Sequence, residues 1–325
     1  MLTFAGIVLG LVLLIAGGAA LVRGASEIAV KLGVSPMIIG LTIVGFGTSS
    51  PELIVNVIGA LRGETGIAFG NVVGSNISNL GLVLGLSAVI APIAIQGDLV
   101  RRELPLLLLA TTMMTVLVLD GPLEGMPAML GRTDSIVLIL MLFIFIYITF
   151  LDVMRSRKAD PLLAEIEESP VVAQAPSSSL SLLFLLAGFV LLFLGGEVTI
   201  RNGVALADML GVPPTIVGLF VVAVGTSMPE LVTSAIAAVR GESDLALGNV
   251  IGSNIFNSLM VLPISGLVAQ IPAPPGGVQD LAFSWLLAAL LVPVFFIGKA
   301  RFGRGTGAAY LLAYFGYAAW RISAA

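Results

Sequence analysis

Residues 40–53 read GLTIVGFGTSSPEL, and residues 218–231 read GLFVVAVGTSMPEL. Each stretch is apolar on both sides of a Gly-Thr-Ser-x-Pro-Glu core, and each sets one carboxylate, Glu52 or Glu230, well inside an apolar run. Working outward, a shift of 178 residues lays Gly17–Ser87 on Gly195–Ser265 without a gap, with about half the positions identical. Gly17-Gly18 meets Gly195-Gly196 and Arg23 meets Arg201; LRGE (61–64) meets VRGE (239–242), and GNVVGSNISN (70–79) meets GNVIGSNIFN (248–257). One structural unit is written twice.

The apolar runs predict ten helices, near 3–22, 36–60, 66–90, 102–119, 134–151, 180–200, 214–238, 244–268, 280–298 and 307–322. They are long enough, at roughly 20 residues each, to cross a bilayer core. Five helices per copy is an odd number, so the second copy enters the membrane upside down. The expected fold is an all-α membrane protein of ten transmembrane helices in two inverted-topology five-helix repeats. Residues 1–152 form the first repeat, 153–179 a linker and 180–325 the second repeat. The apolar stretch 4–22 is expected to be the first span rather than a signal peptide, because no basic segment precedes it and it has an internal counterpart.

Composition agrees. Of 325 residues, 58% are hydrophobic and 10% charged, with a mean hydropathy of +1.11, whereas a soluble domain carries about 25% charge. There is no histidine and no cysteine. That excludes imidazole and thiolate metal sites, Cys or His catalysis, and disulfides. Hydroxyl, amide, carboxylate and carbonyl oxygens remain, which are hard ligands suited to Na⁺ and Ca²⁺. Basic residues are scattered between spans, so nucleic acid is not an expected partner; the lipid bilayer is. With the N-terminus outside, inner connections hold eleven basic residues, among them Arg101, Arg102, Arg155, Arg157 and Lys158, and outer ones hold only Arg62, Arg132, Arg201 and Arg321. The positive-inside rule therefore puts both termini outside and the linker in the cytoplasm.

An acidic side chain at mid-membrane costs roughly 2.5–3.5 kcal/mol on insertion scales, so Glu52 and Glu230 need a reason to be there. Pro51 and Pro229 remove a backbone donor and free the carbonyls of Gly47 and Gly225. Lipid tolerates such a broken helix only where it lines a site. A kinked but inert helix is the plainer alternative for one motif; two copies, each with its glutamate, argue against it. Ser75 with Asn79, and Ser253 with Asn257, fall at i,i+4 on one face of the following helix. The glycines of GNVVGSN and GNVIGSN suit close helix packing. Glu27, Glu64, Asp98, Glu103, Asp208, Glu242 and Asp244 lie near span ends and are expected to be interfacial, with Glu64 and Glu242 pairing locally with an Arg.

These paired motifs, GTSSPEL with GNVVGSNISN and GTSMPEL with GNVIGSNIFN, resemble the alpha-repeats of the cation/calcium exchanger superfamily, and within it the prokaryotic sodium/calcium exchangers. The resemblance is strong over helices 1–3 and 6–8 and topological elsewhere. It implies alternating access around four clustered cation sites, with no cofactor. Glu52 and Glu230, with the carbonyls of Thr48 and Thr226, would hold Ca²⁺. Ser49, Ser75, the Gly45 carbonyl and Glu230 would line one Na⁺ site; Ser227, Ser253, the Ala223 carbonyl and Glu52 would line another. Asn79 and Asn257 would complete the cluster, and helices 1 and 6 would slide as the gate. Asn257 departs from relatives with Asp there. The implied protein is an electrogenic, K⁺-independent Na⁺/Ca²⁺ antiporter of the cell membrane, working as a monomer and not an enzyme. A Ca²⁺/H⁺ antiporter of the same superfamily is the nearest alternative, since protons can replace sodium on paired carboxylates, and a cation channel is a more distant one.

Overall fold

The computed structural model describes residues 2–63, 65–94, 97–123, 125–159, 178–209, 223–297 and 301–323. Among these, regular structure is helical apart from four two-residue strands. Seven helices are long and apolar enough to cross a membrane: Thr3–Leu32, Pro36–Leu61, Ala68–Ile90, Arg132–Leu151, Ser179–Gly203, Ser243–Val268 and Gly277–Val294.

Helix α1 (Leu2–Leu32) begins the chain and runs ten residues past the predicted end at 22. The apolar run stops there, but the helix does not. Arg23 and Glu27 pair at i,i+4 over 2.9 Å, which supports a helical turn beyond the hydrophobic stretch.

The next span is assembled from pieces: α2 (Pro36–Ile39), a π-helical segment Gly40–Val44, α3 (Gly45–Thr48) and, after Ser49, α4 (Ser50–Leu61). Ser35 caps its start, its hydroxyl accepting from the Ile38 N–H, and Pro36 occupies the first turn where no donor is needed. Gly63, in the left-handed region at φ 77°, turns the chain into the third span, as Gly241 does at φ 79° in the second copy. That third span is α5 (Thr65–Ser78), a π-helical segment Asn79–Leu84 and α6 (Gly85–Ile90). There follow β1 (Ile93–Ala94), α7 (Gly97–Val118), α8 (Asp120–Leu123), β2 (Met129–Leu130) and α9 (Arg132–Ala159). Helix α9 absorbs the start of the expected linker; residues 160–177 lie outside the described residues.

The second copy opens with α10 (Ser178–Met209). Residues 210–222, the first part of the expected span at 214–238, lie outside the described residues. The copy resumes with α11 (Ala223–Thr226), α12 (Met228–Val239), α13 (Ser243–Phe256), a π-helical segment Asn257–Val261, α14 (Leu262–Val268) and β3 (Ile271–Pro272). It closes with α15 (Gly277–Ile297), β4 (Arg301–Phe302) and α16 (Arg304–Ser323).

Helices α1 and α10 pack backbone to backbone. A Cβ on Gly17 would stand 2.7 Å from the Leu192 nitrogen, one on Gly24 2.5 Å from that of Leu185, and one on Gly195 2.8 Å from that of Leu14. Numbers rise on one helix as they fall on the other, so the pair is antiparallel, as inverted copies require. Its Gly24 end carries a polar network: Lys31 donates to Ser181 over 2.9 Å and Ser181 to Glu27 over 2.6 Å.

The strands join the copies crosswise. β1 pairs with β4 and β2 with β3, both antiparallel. The middle of the molecule belongs to the third span of each copy: most of Ala68–Ile90 is buried, and in the second copy the run 245–263 is buried throughout.

Two expected interfacial charges behave otherwise. Glu103 is fully buried, its Oε1 paired with Arg102. Glu64 lies outside the described residues, and Arg240 donates to the Ala19 carbonyl rather than pairing with Glu242.

Candidate cation site

The break in each signature helix falls on a serine. Ser49 sits at φ −83°, ψ 1° and Ser227 at φ −86°, ψ 6°, in the sparsely allowed bridge region where a helix changes course. The next residues start a new helix, so Glu52 lies in the first turn of α4 and Glu230 in the first turn of α12. Both carboxylates thereby sit at a positive helix end. Thr48 and Thr226 end the preceding helical segments, whose last carbonyls form a negative end. A cation between the two breaks would meet carboxylates from one side and carbonyl ends from the other.

Every described side chain of the proposed set is buried. Glu230, Ser49, Ser75, Ser253 and Asn257 are fully so, and Glu52, Thr48, Asn79, Ser227 and Thr226 nearly so. Ser49 Oγ and Ser253 Oγ each donate to Glu230 Oε1 over 3.4 Å. Ser253 Oγ also reaches the Gly45 carbonyl at 3.5 Å and lies 3.3 Å from Thr48 Oγ1. Helices from both copies therefore converge on one carboxylate. Glu52 and Glu230 are within electrostatic reach of each other.

Many polar atoms here have no protein partner. Both oxygens of Glu52, Oε2 of Glu230, the hydroxyls of Ser75 and Ser227, and both amide atoms of Asn79 and Asn257 are buried without a hydrogen bond. An unpaired buried polar group costs about 1–3 kcal/mol, and more if charged. Ser75 lies on α5, which packs against α4, and the π-helical segments opened by Asn79 and Asn257 pack against α12 and α4, the two glutamate helices. Unpartnered polar groups on such segments suit an occupant that is not protein. Oxygen is the only ligand atom they offer apart from the asparagine amide nitrogens, which suits hard cations.

The resemblance grouped Ser75 with Ser49, Gly45 and Glu230; the hydrogen bonds instead bring Ser253 to that group. The Ala223 carbonyl belongs to the first residue of α11. Asn79 and Asn257 each open a π-helical segment, a feature that recurs at functional sites.

Four further polar residues join the site. Thr48 Oγ1 lies 3.1 Å from Asn249 Oδ1, and Asn249 Nδ2 donates to Ser234 Oγ over 2.9 Å and to the Glu230 carbonyl over 3.3 Å. In the other copy Thr226 Oγ1 donates to Asn71 Oδ1 over 3.3 Å, and Asn71 Nδ2 to Asn56 Oδ1 over 2.9 Å. Sequence reasoning passed over Asn71 and Asn249 because the glycines of GNVVGSN and GNVIGSN read as packing; the signal was an amide at matched places in two apolar helices. Beside the site, a cavity of about 540 Å³ is walled mainly by Ile43, Phe46, Phe189 and Phe193, with Thr48 and Pro229 also on its lining.

Apolar helices from the two copies, bringing buried oxygens and two carboxylates together, define a membrane cation transporter. The sodium/calcium exchanger protein family matches residues 2–151 and 180–323, and the chain belongs to that family. It is 37% identical over 319 residues to the putative antiporter CaxA of Alkalimonas amylolytica, covering 96% of each chain. It is 33% identical over 287 residues to the sodium/calcium exchanger MaX1 of Methanosarcina acetivorans, covering 80% of this chain and 81% of that one. Among solved structures, the sodium-calcium exchanger NCX_Mj superposes with a TM-score of 0.81 at 30% identity over 98% of both chains. The protein is thus a multi-pass membrane antiporter of the cation/Ca²⁺ type, and no enzyme.

Proposed function

We propose that the chain exchanges Na⁺ for Ca²⁺ by alternating access, with both ions competing for Glu52 and Glu230. The observation that carries this reading is the set of buried polar atoms left without protein partners on Glu52, Glu230 and the segments packed against their helices. Ca²⁺ is held by both carboxylates and the Thr48 and Thr226 carbonyls. Na⁺ takes the serine-lined positions, with Ser49 and Ser253 beside Glu230 and Ser75 and Ser227 completing the cage with the Gly45 and Ala223 carbonyls; Asn79 and Asn257 border its middle. Shared carboxylates make binding of one ion weaken the other, which is the coupling an exchanger needs. Two negative charges balance one Ca²⁺, whereas three Na⁺ leave one positive charge in excess, so exchange is electrogenic. The molecule is a monomer of ten membrane helices in two inverted repeats, 1–152 and 180–325, in the cell membrane with both termini outside. Helices α1 and α10, locked through their glycines, slide as one body to open either face.

The coupling ion is tested in proteoliposomes. Radiolabelled Ca²⁺ uptake is expected under an imposed Na⁺ gradient at equal pH, and not under a pH gradient without Na⁺. The reverse result makes the protein a Ca²⁺/H⁺ antiporter; downhill flux needing no counter-ion makes it a channel.

Potassium is not expected to be required. Among the described residues no three acidic side chains gather, so a K⁺ beside Ca²⁺ would sit uncompensated in a low-dielectric cage. Na⁺-driven uptake should persist with choline replacing K⁺ on both sides. Asn257→Asp, adding a third carboxylate, should shift Na⁺ competition; an unchanged Na⁺ profile places Asn257 outside the cage.

A further inference from the structure

The two GN asparagines do more than pack. Asn71 and Asn249 occupy equivalent positions in the copies (249 − 178 = 71), as do Thr48 and Thr226 and as do Asn56 and Ser234. Asn249 is fully buried and Asn71 nearly so. Their hydrogen bonds cross between copies: the threonine of the first repeat meets the asparagine of the second, and the threonine of the second meets that of the first. Each asparagine then uses its amide nitrogen on the glutamate-bearing helix of its own copy, at Ser234 and the Glu230 carbonyl in one case and at Asn56 in the other.

The orientation of Asn249 is fixed by chemistry. The Glu230 carbonyl can only accept, so the amide NH₂ faces it and Oδ1 faces Thr48. The Thr48 hydroxyl has one proton to give, and Asn249 Oδ1 and the Val44 carbonyl both lie at 3.1 Å. The Gly45 carbonyl at 3.4 Å and Ser253 Oγ at 3.3 Å stand slightly farther off, so the strut amide is among the nearest partners that hold this hydroxyl in place. The same amide sets how far the carbonyl end of α3 stands from the start of α12. It thereby fixes one dimension of the cage.

We infer that Asn71 and Asn249 are positioning residues: a crossed pair of amide struts that ties each threonine of the Ca²⁺ site, through its hydroxyl, to the glutamate-bearing helix of the opposite repeat and so sets Ca²⁺ affinity. This rests on the reading of Glu52 and Glu230 as the Ca²⁺ site. Losing a buried hydrogen bond at a strut loosens the cage without removing a ligand, so binding suffers before turnover does.

The test uses full-length protein in proteoliposomes, with Ca²⁺ itself as the probe. Asn249→Ala should raise the KM for Ca²⁺ about tenfold while maximal exchange stays within about threefold of wild type. Thr48→Val, which keeps the carbonyl and the shape, should raise KM similarly, and the double variant should be no worse than either single one. Asn71→Ala with Thr226→Val repeats the cycle through the mirror pair, so the test survives if one variant fails to insert. A smaller effect is expected there, since no bond from Asn71 to the Glu52 backbone accompanies it. Unchanged KM in Asn249→Ala and Asn71→Ala, loss of maximal rate at constant KM, or additive effects in both cycles would each overturn the inference. If Glu52→Gln and Glu230→Gln transport Ca²⁺ normally, the site itself is wrong; if they abolish transport while both asparagine variants keep KM, only the strut role fails.

Discussion

Glu52→Gln and Glu230→Gln are each expected to reduce Na⁺-driven Ca²⁺ uptake to background while leaving the protein inserted and folded. Glutamine keeps the shape, but removes a charge and puts an NH₂ donor where the cage presents acceptors. Breaking one side of a buried charge interaction typically costs about 3–5 kcal/mol, which is more than a hundredfold in affinity. The stability change should run the other way in the ion-free protein. Glu52 has two buried oxygens without a hydrogen bond, so a neutral side chain relieves a cost that only a cation otherwise offsets. Thermal unfolding in detergent with chelator should give a Tm at or above wild type, and the Ca²⁺-induced rise seen in wild type should vanish. Uptake near wild type in either variant, or an intact Ca²⁺-induced rise, would remove the glutamates from the site.

The second large effect is expected from a single methyl group. A Cβ on Gly252 would stand 2.3 Å from the Leu41 oxygen, 2.8 Å from its carbonyl carbon and 2.9 Å from its Cα. All three are backbone atoms, so no rotamer change can relieve the contact. Gly45 faces the same stretch from the other helix, a Cβ there meeting the Gly252 carbonyl carbon at 3.1 Å. Gly252→Ala must therefore push α13 off the π-helical segment Gly40–Val44, and Ser253, the next residue, moves with it away from Glu230 and the Gly45 carbonyl. Overpacking of this kind costs about 1–3 kcal/mol in stability. Ca²⁺ uptake should fall by about tenfold or more, because the displaced serine bonds Glu230 directly. Gly70→Ala is the control: that glycine, the counterpart of Gly248, is exposed with nothing within 4 Å, and its uptake and Tm should stay close to wild type. Equal damage at both positions would mean that helix propensity, not contact, is being measured.

The repeat made much of this legible. Equivalence of positions 48, 49 and 52 with 226, 227 and 230 singled out polar residues that the fold buries. What the sequence hid has physical reasons. Helix α1 outruns its apolar stretch because Arg23–Glu27 and the Glu27–Ser181–Lys31 network support it with polar bonds, which hydropathy counts as a loop. Glu103 reads as interfacial because it follows two arginines, yet it turns inward on Arg102. The role of Ser253 depends on which copy's helix lies nearer Glu230, a tertiary fact that intra-repeat spacing does not contain. The struts were missed because an asparagine in a glycine-rich helix has no local partner; both of its bonds run to other helices. The π-helical segments after Asn79 and Asn257 likewise leave no mark in apolar periodicity.

The crosswise strands bear on how the molecule is made. Ile93 pairs with Phe302 and Leu130 with Ile271, so the first repeat leaves the ribosome with both partners still unsynthesised. Contacts that distant in sequence form late, because a long loop must close before they gain anything. Strand β2 meets β3 before α15 is made, whereas β1 waits for β4, which comes just ahead of the last helix. A ribosome stalled after α15 would release a chain that has every glutamate and threonine of the site but cannot fasten the end of its third span.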